Sequence, residues 1–564
     1  MAKYSSDAFL SISNEWKKIL SKNIDKEKIR KNLLHHINHK QFESYSNESK
    51  LHDLDLVIIR DCARAWRGIL HPRSEKLAGF SVLNELIKAA NNNPDPELSE
   101  AFWADICYLT KGIEGKFLLH NLTAFSFSGL DSLSGREAAI IRSDELDIIQ
   151  NHVISNIARY KSGLDDNIKK MRSENIKRIL KAKSADINQW NNWKWQLQNI
   201  ARDEKTLKLY AELSQDEIEN IVRTKENSIP FGVTPYYASL FLSPQHQEDR
   251  AIRAQVLFPA NYIDIFSNTN NSEYISDYMK ETDTSPIDLV TRRYPSIVIL
   301  KPYNSCPQIC VYCQRNWEIK TPLDPHAMAD KEQIREAIEW IAQHKTITEV
   351  LITGGDPFVM SDEKIKELLN ELSNIPHIER IRIGTRTPVT LPMRFTDSLC
   401  EMLGSFPRPG YREIAIMTHV QHPYEITEEF LSAIEKLKKQ GISVYNQLVY
   451  TFYISRRFEA ANLRRLLRLC GVDPYYTFYP KGKLETKNYR TPIARILQEQ
   501  KEEARLMPGL CRTDEPVFNV PGLGKNHLNA WQHRDLISIL KDGSRVYEFH
   551  PWEKKIADQK TYIG

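Results

Sequence analysis

The feature that most restricts the fold of this chain is a regular alternation of strand-like and helix-like segments, which begins near residue 294. Short apolar runs alternate with amphipathic segments such as DKEQIREAIEWIAQHK. Strands that alternate with helices form right-handed βαβ units, and these predict a parallel sheet or barrel. In such barrels the chemistry lies at the carboxyl ends of the strands. The strand-like runs are SIVILKP, TEVLITGGDP, IERIRIGT, EIAIMTHV, SVYNQLVY and PYYTFYP.

The composition of the 564-residue chain is that of an ordinary globular protein. It is 41% hydrophobic and 27% charged, with a net charge of +4, so it gives no case for a nucleic-acid partner. No apolar stretch approaches the length of a membrane span, and the N-terminus lacks the pattern of a signal peptide. Eight cysteines in so long a chain do not make a disulfide scaffold. The sequence therefore predicts a cytoplasmic protein without a membrane or nucleic-acid partner.

Three of the cysteines lie together in SCPQICVYCQR, directly after the first strand-like run. Cys306, Cys310 and Cys313 have the spacing C-x3-C-x2-C. A structural zinc site usually has four ligands in two separated pairs, and a disulfide would leave one thiol over. Three thiolates with a vacancy suit a [4Fe–4S] cluster that has one iron free to bind something else. The sequence therefore predicts an iron–sulfur cluster at the carboxyl end of the first strand.

This cysteine motif after a first strand resembles the radical S-adenosylmethionine superfamily, and further motifs resemble, in order, the lysine 2,3-aminomutase family. The likeness covers about residues 188–550. It implies an α/β protein with a partial (β/α)6 radical SAM barrel over 291–490, and an isomerase that moves an α-amino group to the β-carbon to give a β-amino acid. The motifs are LITGGDP, RIGTRTPVTLPMR, MTHVQHPYEITEE, PYYTFYPKGKLETKNYRTP and VPGLGKNH.

The rest of the chain is divided around this barrel. Residues 1–187, where DKEKIRKNLLHHINHK has helical periodicity, are predicted to form a helical N-terminal domain of unknown role without catalytic residues. Residues 188–290 hold the opening segment of the family region and a linker, and polar residues 266–286 are expected to form a surface insertion or linker. Residues 491–564 form a C-terminal segment with the motif VPGLGKNH, which contains Lys525.

The resemblance implies three cofactors: the [4Fe–4S] cluster, S-adenosylmethionine and pyridoxal 5′-phosphate. Lys525, in PGLGK, matches the lysine that forms the Schiff base with pyridoxal phosphate. Arg315 matches the arginine that binds the α-carboxylate of the substrate, with the planar fork that a carboxylate fits. Arg293 matches a basic residue near the cofactor phosphate. The position of a second family arginine falls on Ile297, so other residues must supply part of the phosphate binding.

Other positions match family residues close to S-adenosylmethionine. Tyr312 matches an aromatic residue that packs against adenine. The Gly-Gly-Asp sequence after the second strand matches an element that contacts the amino group of S-adenosylmethionine, and its glycines allow close approach of the backbone. The residues assigned in this way are Tyr312, Gly354, Gly355, Asp356, His419 and Gln447.

The substrate side chain is predicted from two further positions. In the lysine enzyme two aspartates hold the far ammonium of the substrate, and these positions fall on Lys481 and Asn519. A lysine there would repel an ammonium group and suit a carboxylate. Lys and Asn at these places resemble the glutamate 2,3-aminomutase branch, which predicts glutamate or another acidic or polar amino acid. The alternative is that Lys481 points to solvent beside Lys483 and Lys487.

Other functions stay open on the sequence alone. They are a lysine 2,3-aminomutase, a radical SAM enzyme without pyridoxal phosphate that carries out other chemistry, and a non-enzymatic binding module. An electron donor such as flavodoxin or ferredoxin is the expected protein partner, and a homo-oligomer stays open. The cysteines that form a zinc site between subunits of the lysine enzyme are absent from FHPWEKKIADQKTYIG, so no zinc is predicted.

Overall fold

The chain is divided into two compact units in this computed structural model. One combines Met1–Gln150 with Trp531–Gly564, and the other is Asn151–Ala530. The division into four segments, 1–187, 188–290, 291–490 and 491–564, stays a prediction from the sequence. Among the described residues no helix is long and apolar enough to cross a membrane. The residues that the structure describes are 4–22, 24–46, 51, 53–116, 133–242, 247–268, 276–316, 318–521, 524–529, 534–549 and 561–563.

The α-helices before residue 268 confirm the predicted helical N-terminal region. Many begin at a capping side chain: the Ser13 hydroxyl accepts a hydrogen bond from the Trp16 amide, and Ser214 and Glu217 form a capping box. The helices in this region are Ser6–Leu10, Asn14–Leu20, Lys26–Glu43, Asp53–Ile69, Pro72–Ala78, Val82–Ala90, Glu100–Ile113, Gly135–Ile157, Asp166–Ala182, Ile187–Trp190, Trp193–Gln198, Glu204–Tyr210, Gln215–Glu226, Pro235–Ala238, Arg250–Arg253 and Ala260–Ser267.

A nine-stranded sheet, with its strands side by side in chain order, is the frame of the second unit. The six predicted strands are β2 to β7 and all pair in parallel, which confirms the partial (β/α)6 barrel. A seventh parallel strand, β8, and antiparallel neighbours β1 and β9 extend it. The strands are β1 Val290–Thr291, β2 Ile297–Tyr303, β3 Glu349–Gly354, β4 Arg380–Gly384, β5 Glu413–Thr418, β6 Ser443–Val449, β7 Asp473–Phe478, β8 Glu515–Val520 and β9 Gly524–His527.

Amphipathic helices connect these strands and bury their apolar faces on the sheet. The helix Glu428–Lys439 buries Phe430, Ile434 and Leu437, the i, i+4, i+7 positions of one face. The Thr427 hydroxyl caps it, and three lysines lie in its last turn, where they complement the helix dipole. The helices of this part are Lys331–Gln343, Asp362–Ser373, Thr387–Thr390, Asp397–Gly404, Glu428–Lys439, Glu459–Leu469 and Ile493–Leu506.

The first unit contains strands from the C-terminal end of the chain. Strands β10 (Arg534–Ile539), β11 (Arg545–Phe549) and β12 (Thr561–Ile563) form an antiparallel sheet. Ile539 belongs to the same hydrophobic core as Trp16 and Trp66 of the N-terminal helices. Because this core includes Ile539, strand β10 packs with the N-terminal helices in one unit.

The prediction of a surface insertion over residues 266–286 is wrong for its last part. Met279, Glu281 and Thr284 are only 3%, 4% and 8% exposed. Residues 269–275 lie outside the described part of the chain. The polar composition of 276–286 therefore reflects buried polar contacts, because Glu281 pairs with cationic side chains of the second unit.

Candidate active site

A cavity of about 350 Å³ lies at the carboxyl ends of the parallel strands. It is lined by the cysteine segment after β2, by the ends of β3 to β7, and by β8 and β9. The structure brings every residue that was assigned from the sequence to this one cavity. Those residues are Arg293, Cys306, Cys310, Tyr312, Cys313, Arg315, Gly354, Gly355, Asp356, His419, Gln447, Lys481, Asn519 and Lys525.

The three cysteines lie on one side of this cavity as free, half-buried thiols. The Cys310 Sγ atom accepts a hydrogen bond from Nη1 of Arg386 at 2.9 Å, and the Cys313 Sγ atom accepts one from the Arg315 amide at 3.3 Å. Burial raises the pKa of Cys306 well above its ordinary value, and burial also raises that of Cys313. Three thiols on one short segment with N–H donors to two sulfurs fit a [4Fe–4S] cluster, whose charge such donors balance.

The glycines at the end of β3 allow a backbone conformation and a close backbone contact that other residues would not allow. Gly354 has φ +114°, a conformation that L side chains rarely adopt. A Cβ atom on Gly355 would lie 2.0 Å from the carbonyl oxygen of Ser305. The end of β3 therefore packs directly against the residue before Cys306. The predicted contact of these glycines with S-adenosylmethionine stays a prediction.

The buried carboxylate of Asp356 connects the segment after β3 with the segment after β4. It accepts hydrogen bonds from the Thr385 hydroxyl at 2.7 Å and from the Arg386 amide at 2.9 Å. It also caps the short turn that follows, by accepting from the Phe358 amide. This network fixes the end of β4 beside the end of β3. These three contacts lie within the protein, and the predicted contact with the cofactor stays a prediction.

Three other assigned residues, Tyr312, His419 and Gln447, line the same cavity as the cysteines. The Tyr312 hydroxyl donates to Oε1 of Gln255 at 3.1 Å. Burial, and then the charge of Arg386, lower the pKa of His419 to about 4, so its imidazole is neutral at physiological pH. Gln447 lies on β6 in the same wall. Neutral hydrogen-bonding groups beside an aromatic ring fit the adenosine part of S-adenosylmethionine.

Arg315 is held in the cavity by Glu281. Its Nε and Nη2 atoms each lie 3.1 Å from an oxygen of that carboxylate. Although burial opposes ionisation of Glu281, Arg315 and Lys301 hold the pKa of the carboxyl below its ordinary value. Sequence reasoning missed Glu281, because a lone acidic residue in a polar segment carries no motif. The ion pair orients the guanidinium that was assigned to the substrate carboxylate.

Lys525 lies on β9 between two aromatic rings. Its Nζ atom is 4.5 Å from the ring centroid of Tyr476 and 5.2 Å from that of Tyr294, whose hydroxyl accepts the Lys525 amide at 2.8 Å. Burial lowers the pKa of Lys525 to about 8, and Arg382 adds to the effect. A larger share of the amine is therefore unprotonated at neutral pH, as a nucleophilic lysine requires.

Two arginines, Arg293 and Arg382, line the same cavity as this lysine, and their charges add to burial in lowering its pKa. Arg293 donates through Nη2 to the carbonyl of Met279 at 2.9 Å, and its buried Nε has no hydrogen-bond partner. Arg382, on β4, pairs with Glu349 and also has a buried Nε without a partner. Sequence reasoning missed Arg382, which lies in the quoted strand IERIRIGT. The two guanidiniums fit an anionic group such as a phosphate.

Lys481 lines the cavity, which contradicts the alternative that it points to solvent. Burial, and then Arg293 and Lys525, lower its pKa well below the ordinary value. Of its lysine neighbours, Lys483 is buried and pairs with Glu485 at 2.8 Å, and Lys487 is exposed. Lys481 is thus a half-buried amine beside other cations, where an anionic ligand would favour its charged form.

Asn519 and the other lining residues complete this electrostatic setting. Asn519 is 7% exposed, and its Nδ2 donor has no hydrogen-bond partner. Asp356 is the single carboxylate among the described residues that line the cavity. Six basic residues line the same cavity: Arg293, Arg315, Arg382, Arg386, Lys481 and Lys525. The cavity therefore fits anionic groups such as phosphates and carboxylates.

Comparisons with known proteins agree with this geometry. The Radical SAM superfamily matches residues 300–459. An uncharacterised KamA family protein of Methanocaldococcus jannaschii is 44% identical over 90% of this chain and 85% of its own length. The glutamate 2,3-aminomutase of Clostridioides difficile is 36% identical over 57% of this chain and 72% of its own. The L-lysine 2,3-aminomutase of Fusobacterium nucleatum is 34% identical over 55% and 69%.

These likenesses agree with a catalytic cavity built by the strand ends of a radical SAM barrel. The likeness to the M. jannaschii protein extends over most of both chains, and the two aminomutases share more than half of this one. Aminomutases are isomerases, and radical SAM enzymes work with an iron–sulfur cluster and S-adenosylmethionine. The chain belongs to the KamA family of radical SAM aminomutases.

Proposed function

We propose that this protein is a pyridoxal phosphate-dependent amino acid 2,3-aminomutase whose substrate is glutamate or another acidic or polar α-amino acid. The observation that carries the proposal is the position of Lys481 in the same cavity as Lys525 and Arg315. The substrate is held between these groups, with its amino end at Lys525 and its side chain at Lys481. An electron donor such as flavodoxin or ferredoxin completes the system.

Cys306, Cys310 and Cys313 hold the [4Fe–4S] cluster, and Lys525 holds pyridoxal phosphate. When bound, the cluster and S-adenosylmethionine supply a radical that removes a hydrogen atom, and pyridoxal phosphate supplies the carbonyl group that takes up the amino group. Lys525 is suited to the attachment, since burial lowers the pKa of its amine to about 8. The Tyr294 and Tyr476 rings on either side restrict the approach of water to that amine.

Arginines of the cavity bind two different anionic groups, the α-carboxylate of the substrate and the phosphate of pyridoxal phosphate. Arg315, oriented by Glu281, binds the α-carboxylate of the substrate. Arg293 and Arg382 bind the phosphate of pyridoxal phosphate. This division places each anion beside a guanidinium, whose planar fork binds carboxylates and phosphates in two-point contacts.

Lys481 and Asn519 bind the side-chain carboxylate of the substrate. An ammonium group beside Lys481 would add a like charge to a cavity in which Arg293 and Lys525 already lower the pKa of that lysine. If both groups stayed charged at 4 Å, their repulsion would cost about 4 kcal/mol at an effective dielectric constant near 20; otherwise one of them would have to lose its proton. A carboxylate brings the opposite charge, and the unpartnered Nδ2 of Asn519 can donate to it. The pocket thus favours glutamate over lysine.

Incubation of reconstituted enzyme with isotopically labelled glutamate and lysine tests this function. We expect β-glutamate to form faster than β-lysine. Faster formation of β-lysine would reject the acidic substrate. Cleavage of S-adenosylmethionine without any β-amino acid and without bound pyridoxal phosphate would favour a radical SAM enzyme of other chemistry.

A further inference from the structure

Arg386 makes a direct contact with one of the three cysteines. It follows β4 in the segment RIGTRTP, and its side chain lines the cavity. Its Nη1 atom lies 2.9 Å from the Sγ atom of Cys310. The residue is 9% exposed, so this cation is largely removed from water. A desolvated guanidinium beside a sulfur interacts with charge on that sulfur more strongly than a solvated one would.

The guanidinium is held from its other side by Glu425. Nη2 of Arg386 donates to Oε1 of Glu425 at 2.8 Å and also to the side-chain oxygen of Gln255. Glu425 has no exposure to solvent, and its carboxylate accepts the Gln421 amide and the Tyr237 hydroxyl as well. Arg386 therefore has little freedom to leave Cys310.

This arrangement is costly for the fold. A buried ion pair commonly stabilises a protein no more than well-packed apolar residues would, because both charges lose hydration. Glu425 satisfies its oxygens through backbone and tyrosine donors, and so does not depend on Arg386 for all of its hydrogen bonds. The contact of Arg386 with Cys310 is separate from these hydrogen bonds to Glu425.

We propose that Arg386, oriented by Glu425, is a positioning residue that sets the reduction potential of the iron–sulfur cluster through its hydrogen bond to the Cys310 sulfur. The inference rests on the proposed role of the three cysteines as cluster ligands. Reduction of the cluster by an external one-electron donor adds a negative charge. Hydrogen bonds to ligand sulfurs and nearby positive charge stabilise the reduced form, and they are known determinants of cluster potentials.

The test uses variants of the full chain that move the potential in opposite directions. Glu425→Gln removes a negative charge and leaves the contact of Arg386 with Cys310 in place, so the midpoint potential should rise. Arg386→Met combined with Glu425→Gln removes the hydrogen bond and leaves no unpaired buried charge, so the potential should fall. Arg394→Lys is the matched control, because Arg394 is fully buried but bonds the Phe358 and Met360 carbonyls, and Asp362.

The measurements are iron and sulfide content and a redox titration followed by electron paramagnetic resonance. At a fixed poise we expect the ratio of reduced to oxidised cluster in the double variant to fall at least about tenfold below wild type, a shift of about 59 mV for one electron. The control should titrate like wild type. A cluster-loaded double variant with the wild-type potential would overturn the proposal, and so would a folded double variant that binds no cluster.

Failure of the proposed ligands is separable from failure of this inference. Cys310→Ala with undiminished iron and sulfide would reject Cys310 as a ligand, whatever the potentials are. Loss of iron in Cys310→Ala together with an unchanged potential in the double variant would leave the ligands in place and reject the role of Arg386.

Discussion

Asn519 and Lys525 lie opposite each other in the antiparallel pair of β8 and β9. Paired residues of an antiparallel ladder project their side chains from the same face of the sheet, so the two reach the cavity together. The amine assigned to the cofactor and the amide assigned to the substrate are thus fixed by one strand pair. A substitution at Lys525 or Asn519 should therefore change cofactor or substrate binding without changing the backbone conformation of the two strands.

The first prediction concerns substrate choice. Lys481→Asp combined with Asn519→Asp should shift preference from glutamate toward lysine, because two carboxylates would then face the far end of the substrate. We expect on the order of 1–3 kcal/mol for each restored charged contact. Competition between labelled glutamate and lysine measures the shift. Lys487→Asp is the control, since Lys487 is exposed, and it should leave the ratio of products unchanged.

The second prediction concerns the attachment of pyridoxal phosphate. Borohydride reduction followed by peptide mapping should tag Lys525, because this amine lies in the cavity with a lowered pKa. Lys525→Ala should lose the tag and the aminomutase activity. Label on a different lysine in the wild-type protein would contradict the assignment.

The pH dependence of that attachment is the third prediction. The pKa of Lys525 is lowered from 10.5 to about 8, so the free amine is the major form above pH 8. The rate at which the apoprotein takes up pyridoxal phosphate should fall about tenfold for each pH unit below 8, as the amine is protonated. Stopped-flow absorbance between pH 6 and 10 records this profile. A rate that keeps rising to pH 10 would indicate an amine with its ordinary pKa.

Glu281 is the subject of the fourth prediction. Glu281→Gln should weaken substrate binding, because Arg315 loses the ion pair that orients its guanidinium. A hydrogen bond to a charged group contributes about 1.5–3 kcal/mol, so KM should rise about 10-fold or more with a smaller change in kcat. Asp283→Asn, a change of a neighbouring exposed acid, is the control. Unchanged KM in Glu281→Gln would show that Arg315 needs no such anchor.

The fifth prediction concerns the cluster ligands. Replacement of Cys306, Cys310 or Cys313 by Ala should abolish both the iron content and the cleavage of S-adenosylmethionine, because each thiolate is expected to bind a different iron. Cys470→Ala is the matched control, since Cys470 is a free cysteine that does not line the cavity. A triple variant that keeps its four irons would reject this part of the assignment.

The parts of the fold that were predictable are those with local patterns. The six parallel strands could be predicted because each is an apolar run between amphipathic helices, as in SIVILKP, which gives β2. The short strand β9 carries Gly524 and Lys525, and neither residue favours a strand. Its place depends on pairing with β8. The membership of Ile539 in the core of Trp16 depends on contacts between distant parts of the chain, which no local pattern reports.

The same distinction applies to the site. Cys306, Cys310 and Cys313 could be found because metal ligands on one loop keep a fixed spacing. Glu281 and Arg386 could not, since the partners of each are distant in sequence. Glu281 even lies in a segment whose polar composition favoured a surface position.

The union of both chain ends in one core has a consequence for synthesis on the ribosome. The N-terminal helices around Trp16 and Trp66 emerge first, but Ile539 and the strands β10 to β12 emerge last. Between them the whole of Asn151–Ala530 must be translated. Nascent domains usually fold in order from the N-terminus. Here Ile539 can join the core of the N-terminal helices only after residues 151–530 have been translated, so these helices lack this packing partner until then.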